Sequence, residues 1–128
     1  MSFFSFLRKK STGTNFNDAI AFYYKKRYDF AFPIFEHLAQ QGRAESQYML
    51  GICYFNGEGV EQNYDKAVEW YTKSAEQGDC WAQYRLGEYY EQGQNLSKAT
   101  DWYSKSANGG CIPAQKWLEL KKSPSTAP

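Results

Sequence analysis

Apolar and small side chains recur along this chain at the spacing of amphipathic helices. Ala82, Leu86 and Tyr90 stand four residues apart, so in a helix they would share one face. A second kind of stripe runs through Ala99 and Tyr103, again four residues apart. Polar and charged residues fill most of the intervening positions. The pattern predicts a series of short helices, each with one apolar face.

The two stripes form a repeat, because each occurs again at a fixed distance. Residues 44–57 align with residues 80–93, and both segments contain Gln-Tyr, Leu-Gly and a following Tyr. Residues 63–78 align with residues 95–110, and both contain Lys-Ala, Trp-Tyr and Lys-Ser-Ala. The second copy lacks only the counterparts of residues 58–61. A repeat of this length predicts an array of helix pairs.

The repeat extends weakly in both directions. Residues 28–42 match the second half of the unit, and residues 113–122 restart its first half. A helix pair cannot cover its own apolar face, so neighbouring pairs must cover it. We therefore expect an all-α fold, an array of helix pairs with about three units. Small residues that recur in the units would let the paired helices approach closely: Ala31, Gly51, Ala67, Gly87 and Ala99.

Cap residues set the expected helix ends. Each unit has a first and a second helix. The expected N-caps of the second helices, whose side-chain oxygens would accept the first free amide hydrogens, are Asp29, Asp65 and Ser97. Glycines at 42, 78 and 110 stand where a left-handed residue would end those helices. Pro33 would remove a helical hydrogen bond unless the helix near Asp29 starts later. Trp70 and Trp102 lie on the apolar stripes, and their truncation should cost about 3–5 kcal/mol if the rings are buried.

One motif carries a family resemblance. The segment LGICYFNGEGV (50–60), followed by YDKAVEWYTKSAEQG (64–78), resembles the Sel-one-like repeat (SLR), a relative of the tetratricopeptide repeat (TPR). The resemblance implies two antiparallel helices per unit, stacked into a right-handed superhelical solenoid. It is strong over residues 44–110 and weaker over 17–42 and 111–122. The second repeat departs from the motif, because it lacks the Gly-x-Gly-Val connection.

The resemblance also implies the domain organisation. A single SLR/TPR-like domain over 16–122 is expected, with units at about 16–43, 44–79 and 80–111 and a C-terminal capping helix over 112–122. Residues 1–15 are expected to form a flexible or packing segment, and 123–128 a disordered tail.

Members of this family typically bind other proteins, as adaptors in signalling and in bacterial secretion and host interaction. The resemblance therefore implies a non-enzymatic protein-interaction module, an adaptor or scaffold of bacterial type. Some members are immunity proteins that neutralise a secreted bacterial toxin, and this role is the alternative. Some secreted members carry a regular disulfide within each repeat, a pairing that the cysteines of this chain do not follow.

The charge balance narrows the class of partner. The chain has 15 Lys and Arg against 14 Asp and Glu, so no global field favours nucleic acid or an acidic membrane. Lys25, Lys26 and Arg27 lie beside aromatic residues, a combination that can bind single strands by stacking. The aromatic residues recur at core spacing, however, so a solvated helix end is favoured. We expect no nucleic-acid partner.

The N-terminal residues bear on location. Residues 1–10 place aromatic residues before basic ones, the reverse of a secretory signal, and no apolar run reaches the roughly 20 residues that span a bilayer. We expect a cytoplasmic protein. Residues 3–10 could form a short membrane anchor, but a frayed tail or one that folds back on the first repeat is favoured. Cys53, Cys80 and Cys111 form no CxxC motif, so free, mostly buried thiols are expected rather than disulfides.

Catalytic chemistry has little support in the sequence. His37, the only histidine, aligns with lysines on the predicted wet side of a second helix. Glu69 and Asp101 occupy equivalent positions in different units, so they need not face one substrate. Residues 56–59 lack the lysine and the strand that a P-loop needs. We expect no enzymatic activity, no cofactor and no metal site.

The expected partner site is the concave surface that first helices line in such solenoids. The TPR pattern would make it an aromatic groove with an acidic end, suited to an extended or helical peptide with apolar and some positively charged side chains. For Tyr48 and Tyr84, packing against the next repeat is equally open, whereas Trp81 is expected to be exposed. A homodimer that pairs exposed aromatics is a further alternative. The candidate site residues are Tyr23, Tyr24, Glu45, Tyr48, Ile52, Phe55, Trp81, Tyr84, Glu88 and Glu91.

Overall fold

The computed structural model describes residues 15–122, which form seven α-helices and no strand. The predicted all-α class of helix pairs is confirmed. The expectations for the N-terminal membrane anchor and the C-terminal tail lie outside the described residues. The helices are α1 (Phe16–Tyr24), α2 (Tyr28–Gln40), α3 (Ala44–Asn56), α4 (Tyr64–Glu76), α5 (Cys80–Gln92), α6 (Leu96–Asn108) and α7 (Ile112–Lys122).

The helix starts differ from the predicted caps. The N-cap of α6 is Asn95, whose side chain accepts a hydrogen bond from the Lys98 amide at 3.1 Å. Asn63 accepts from the Lys66 amide in the same way at 3.0 Å, just before α4. The prediction of Asp65 and Ser97 was wrong by two residues, because an asparagine oxygen also reaches the third amide of a helix.

Helix α2, the second helix of the first unit, also starts earlier than its predicted cap. Asp29 lies inside the first turn of α2, which begins at Tyr28 without a side-chain cap. Pro33 lies within α2, so the helix tolerates the lost bond and does not start later. Gly78 has a φ of 97° after α4, which confirms a left-handed residue at that helix end. Gly42 and Gly110 are left-handed in the same way after α2 and α6.

The chain divides into two compact units, with the boundary inside α4 between Trp70 and Tyr71. In the unit that ends at Trp70, α2 packs against both α1 and α3. Its core contains Ala31, Phe35 and Leu50, all fully buried. The ring of Phe32 meets that of Tyr54 edge to face, with centroids 5.6 Å apart.

In the unit that begins at Tyr71, α6 packs against both α5 and α7. Tyr103 is fully buried on α6, whereas Trp102 beside it is only half-buried. The small-residue prediction is confirmed at Gly87, where an added Cβ would lie 2.6 Å from the Tyr103 ring. The tyrosine of the Trp-Tyr pair is therefore the deeper core residue.

The cysteine prediction was wrong for two of the three residues. Cys80 and Cys111 form a disulfide with their Cα atoms 5.8 Å apart, while Cys53 is free and buried. The separation of 31 residues hides this proximity. Helix α5 leads the chain away from Cys80, and α6 returns it, so that Cys111 lies beside the start of α5. With Cys80 and Cys111 bonded, these two cysteines give no support to the predicted cytoplasmic location. Within residues 15–122, no helix is long and apolar enough to cross a membrane; a cytoplasmic location stays a prediction.

Candidate functional site

The first helix of the central repeat, α3, presents four of the predicted residues along one face. Glu45 is exposed at its start, and Tyr48, Ile52 and Phe55 follow at helical spacing, each half-buried. The Phe55 ring meets Tyr64 edge to face, with centroids 4.9 Å apart. The face therefore combines an exposed carboxylate with partly accessible apolar side chains.

Tyr23 and Tyr24 on α1 have different surroundings. Tyr24 is 77% exposed. Tyr23 is half-buried, and its hydroxyl donates a hydrogen bond of 2.8 Å to the Glu58 carboxylate. Burial and the Glu58 contact raise the pKa of Tyr23 above its usual range. Tyr23 is thus fixed within its own unit, while the Tyr24 ring is largely exposed and meets the Tyr23 ring edge to face, with centroids 5.8 Å apart.

The first helix of the next repeat, α5, carries the other predicted cluster. Trp81 is 46% exposed and meets Tyr84 edge to face, with ring centroids 6.5 Å apart. Glu88, on the same face, accepts a 2.9 Å hydrogen bond from Arg85 and pairs with it. The pKa of Tyr84 is raised by burial and, to a lesser extent, by the Glu88 charge. Trp81, in the first turn of α5, is exposed as predicted.

Glu91 has a role inside the fold that the sequence did not indicate. One carboxylate oxygen accepts from the Tyr103 hydroxyl at 3.0 Å, and the other accepts from the Trp117 indole at 2.8 Å. The Tyr103 and Trp117 rings stack with centroids 4.2 Å apart. Glu91 therefore joins α5, α6 and α7 through two aromatic side chains. Burial and the Glu91 bond raise the pKa of Tyr103.

Glutamines at equivalent positions of the repeats hold the first helices in place. The side-chain amide of Gln83 donates to the Ala75 carbonyl at 3.1 Å, eight residues earlier in the chain. Gln47 bonds Ala39 in the same way at 3.2 Å, as does Gln115 to Ala107 at 3.0 Å. Because the bond recurs from repeat to repeat, the glutamine that the repeats share serves the fold rather than a partner.

The described residues give little indication of catalytic chemistry. Within 15–122, no group of three or more His, Cys, Asp or Glu side chains is placed to hold a metal ion. His37 is exposed and lies 3.2 Å from the Gln41 amide. Burial raises the pKa of the Cys53 thiol to about 12, so the reactive thiolate is disfavoured there.

The sequence analysis missed the residues that hold the predicted site residues in place. Glu58, Arg85, Tyr103 and Trp117 each contact a predicted site residue. Arg85 stands three residues before Glu88, a spacing that signals a helical ion pair. The Glu58 and Trp117 contacts join distant segments, so no local pattern could have indicated them.

A solved structure and curated sequences show what the chain is similar to. The crystal structure of a Sel1 repeat protein from Oxalobacter formigenes superimposes with a TM-score of 0.77 at 33% identity, covering 84% of this chain and 47% of that one. The HRD3A component of an ERAD-associated E3 ubiquitin-protein ligase from Arabidopsis thaliana is 35% identical over 48% of this chain. The rat DAP3-binding cell death enhancer 1 is 48% identical over 38% of this chain.

The chain matches only 9% of the length of each of these two curated relatives. The family model of the Sel1 repeat matches residues 44–79 and 82–111, just over half of the chain. These two matches coincide with the central and third units of the predicted array. The chain therefore belongs to the Sel1 repeat family.

Proposed function

We propose that this protein is a non-enzymatic protein-interaction module that binds a peptide or protein partner on the exposed faces of its first helices. The observation that carries the proposal is the arrangement on α5, where the half-exposed Trp81 ring stands beside Tyr84. Large aromatic side chains supply contact area at low entropic cost and dominate many interfaces. The names of the two curated relatives, a ligase component and a DAP3-binding protein, support a binding role.

The chemistry of the face defines the kind of partner. Trp81 and Tyr84 offer apolar surface on α5, and Glu88 brings negative charge to the same face. Glu88 is paired with Arg85, and both side chains remain accessible at 36% and 42% exposure. A peptide with apolar side chains and a few lysines or arginines would complement this surface. Glu91 supports the face from within, because both of its oxygens accept bonds from Tyr103 and Trp117.

The test compares partner capture by the wild type and by a Trp81→Ala/Glu88→Lys variant, from a lysate of the native organism. Each captured protein is then titrated against purified chains. We expect the double variant to weaken binding at least about ten-fold, since loss of an aromatic interface anchor typically costs about 2 kcal/mol or more and about 1.4 kcal/mol corresponds to ten-fold. Leu96→Ala is the matched control, because Leu96 is 53% exposed and belongs to α6, a second helix outside the proposed face.

The outcomes distinguish the alternatives. A partner bound equally by the double variant and the wild type would place the site elsewhere and refute the proposed face. Capture of one secreted toxin would turn the adaptor role into the immunity role. Capture of the chain itself, with a sedimentation mass of two copies, would indicate a homodimer instead.

A further inference from the structure

The disulfide between Cys80 and Cys111 is attached next to the exposed tryptophan of the proposed binding face. Cys80 is the first residue of α5, and Cys111 directly precedes α7. Trp81 follows Cys80 in the sequence. The loop that the disulfide closes contains the whole of α5 and α6. The covalent link therefore ties the Trp81 end of α5 to the start of the next first helix.

Ser106 holds the same two segments without a covalent bond. Its hydroxyl donates to the Cys80 carbonyl at 2.6 Å, and its own carbonyl accepts from the Cys111 amide at 3.1 Å. The first turn of α5 is otherwise capped by Asp79, which accepts from the Ala82 amide at 3.0 Å. The disulfide thus works in parallel with a few single hydrogen bonds, which open far more readily than a covalent link.

Reduction would leave two thiols where one disulfide stood. Bonded sulfurs lie about 2 Å apart, whereas atoms in van der Waals contact stand about 3.5–4 Å apart, so the two side chains must separate. Cys111 is buried, so its side chain has little room to move. Cys80 is only half-buried. The movement is therefore directed toward Cys80 and the first turn of α5.

We propose that the Cys80–Cys111 disulfide is a redox-dependent clamp that fixes the Trp81 end of α5 when oxidised and releases it when reduced. The clamp regulates the face assigned above, and to that extent the inference rests on the proposed function. The release itself is a property of the chain alone and can be measured without a partner.

The reductant is a dithiol. One of its thiolates attacks the sulfur of the more accessible Cys80, the Cys80–Cys111 bond breaks, and the Cys111 sulfur leaves as a thiolate that takes up a proton. The second thiol of the reductant then attacks the mixed disulfide and releases Cys80, which is protonated in turn. The reductant leaves as its own disulfide, having supplied two electrons and two protons. Cys53 takes no part, because it is fully buried.

The test is residue-resolved amide hydrogen exchange by NMR on the full chain, with and without dithiothreitol. Mass spectrometry confirms reduction as a gain of about two mass units. We expect exchange of the Ala82 and Gln83 amides to rise about ten-fold or more on reduction. The matching first-turn amides of α3 are Ser46 and Gln47, the latter bonded to the Arg43 carbonyl at 3.0 Å. Amides at a helix start exchange by local fraying rather than through global unfolding, so these two should change less than about two-fold.

Two variants serve as controls. Cys80→Ser/Cys111→Ser should show fast exchange at Ala82 and Gln83 with or without the dithiol. Cys53→Ala should keep the full redox response. Unchanged exchange at Ala82 and Gln83 in a chain of reduced mass would overturn the proposal, as would three free thiols in protein purified under air. An equal rise at the first-turn amides of α6, Lys98 and Ala99, would also overturn it, because the bond would then hold every helix start of the unit rather than one helix end.

Failure of the clamp and failure of the binding face are separable. Binding by the oxidised chain that is insensitive to Trp81→Ala contradicts the proposed function and leaves the exchange result standing. Unchanged exchange on reduction contradicts the clamp even when Trp81→Ala abolishes binding.

Discussion

At the scale of single residues, carboxylates act as internal acceptors for aromatic side chains. Glu91 accepts from Tyr103 and Trp117 in one unit, and Glu58 accepts from Tyr23 in the other. A hydroxyl or indole N–H that loses such a partner while shielded from water costs about 1–3 kcal/mol. We therefore expect Glu91 to matter more for stability than for partner contact.

Glu91→Ala should lower the free energy of unfolding by about 2–3 kcal/mol, because two donors lose their acceptor at once. Urea unfolding followed by circular dichroism measures the change. Glu119→Ala is the control, since Glu119 is exposed on α7 and its loss should stay within about 0.5 kcal/mol. Equal stability of the two variants would show that the Glu91 bonds contribute nothing net.

At the scale of helices, close approach depends on residues without a side chain. Gly87 on α5 lies directly against the ring of Tyr103 on α6, where an added Cβ would stand 2.6 Å away. The ring cannot move aside freely, because its hydroxyl is bonded to Glu91 and its face is stacked on Trp117. The α5–α6 pair therefore requires glycine at this position.

Gly87→Ala should lower the free energy of unfolding by about 1–3 kcal/mol, since overpacking outweighs the higher helix propensity of alanine. Gly93→Ala is a matched control at the end of the same helix, because an added Cβ would meet its nearest atom at 3.5 Å, an ordinary contact. This control should be neutral or slightly stabilising. Thermal unfolding of both variants tests the pair, and equal melting temperatures would contradict the packing argument.

At the scale of the whole molecule, the fold combines repeat packing with one covalent link. Each repeat in the described range is held by its glutamine bond and its buried alanine, as at Gln83 and Ala99. Among residues 15–122 the structure has one disulfide, and the loop that it closes contains both helices of the last complete pair, α5 and α6. We expect it to add stability chiefly by restricting the unfolded chain.

Cys80→Ser/Cys111→Ser should lower the free energy of unfolding by about 3–4 kcal/mol, as the loop-entropy relation gives for a closed loop of this length. Guanidinium unfolding of the oxidised wild type and the double variant measures the difference. Reduced wild type should unfold at the same denaturant concentration as the double variant. A midpoint shared by the oxidised wild type and the double variant would contradict the expected contribution.

The sequence by itself determined the helix pairs and their number. Helical spacing and the recurrence of motifs such as Leu50-Gly51 and Leu86-Gly87 are local signals, so they can be read without coordinates. The same signals placed Trp81 on an outward face, because it breaks the repeat where Glu45 stands in the preceding unit. The identities at Gln47 and Gln83 marked positions where the fold repeats one hydrogen bond.

Only the tertiary structure decided which residues meet across the chain. Cys80 and Cys111 are separated by 31 residues, and Glu91 lies 26 residues from Trp117. The Trp102 and Tyr103 stripe did not reveal which ring is buried, because adjacent residues on a helix differ by only about 100° in direction. Contacts of this kind depend on how helices pack, and packing is set by the three-dimensional fit of side chains rather than by their order in the sequence.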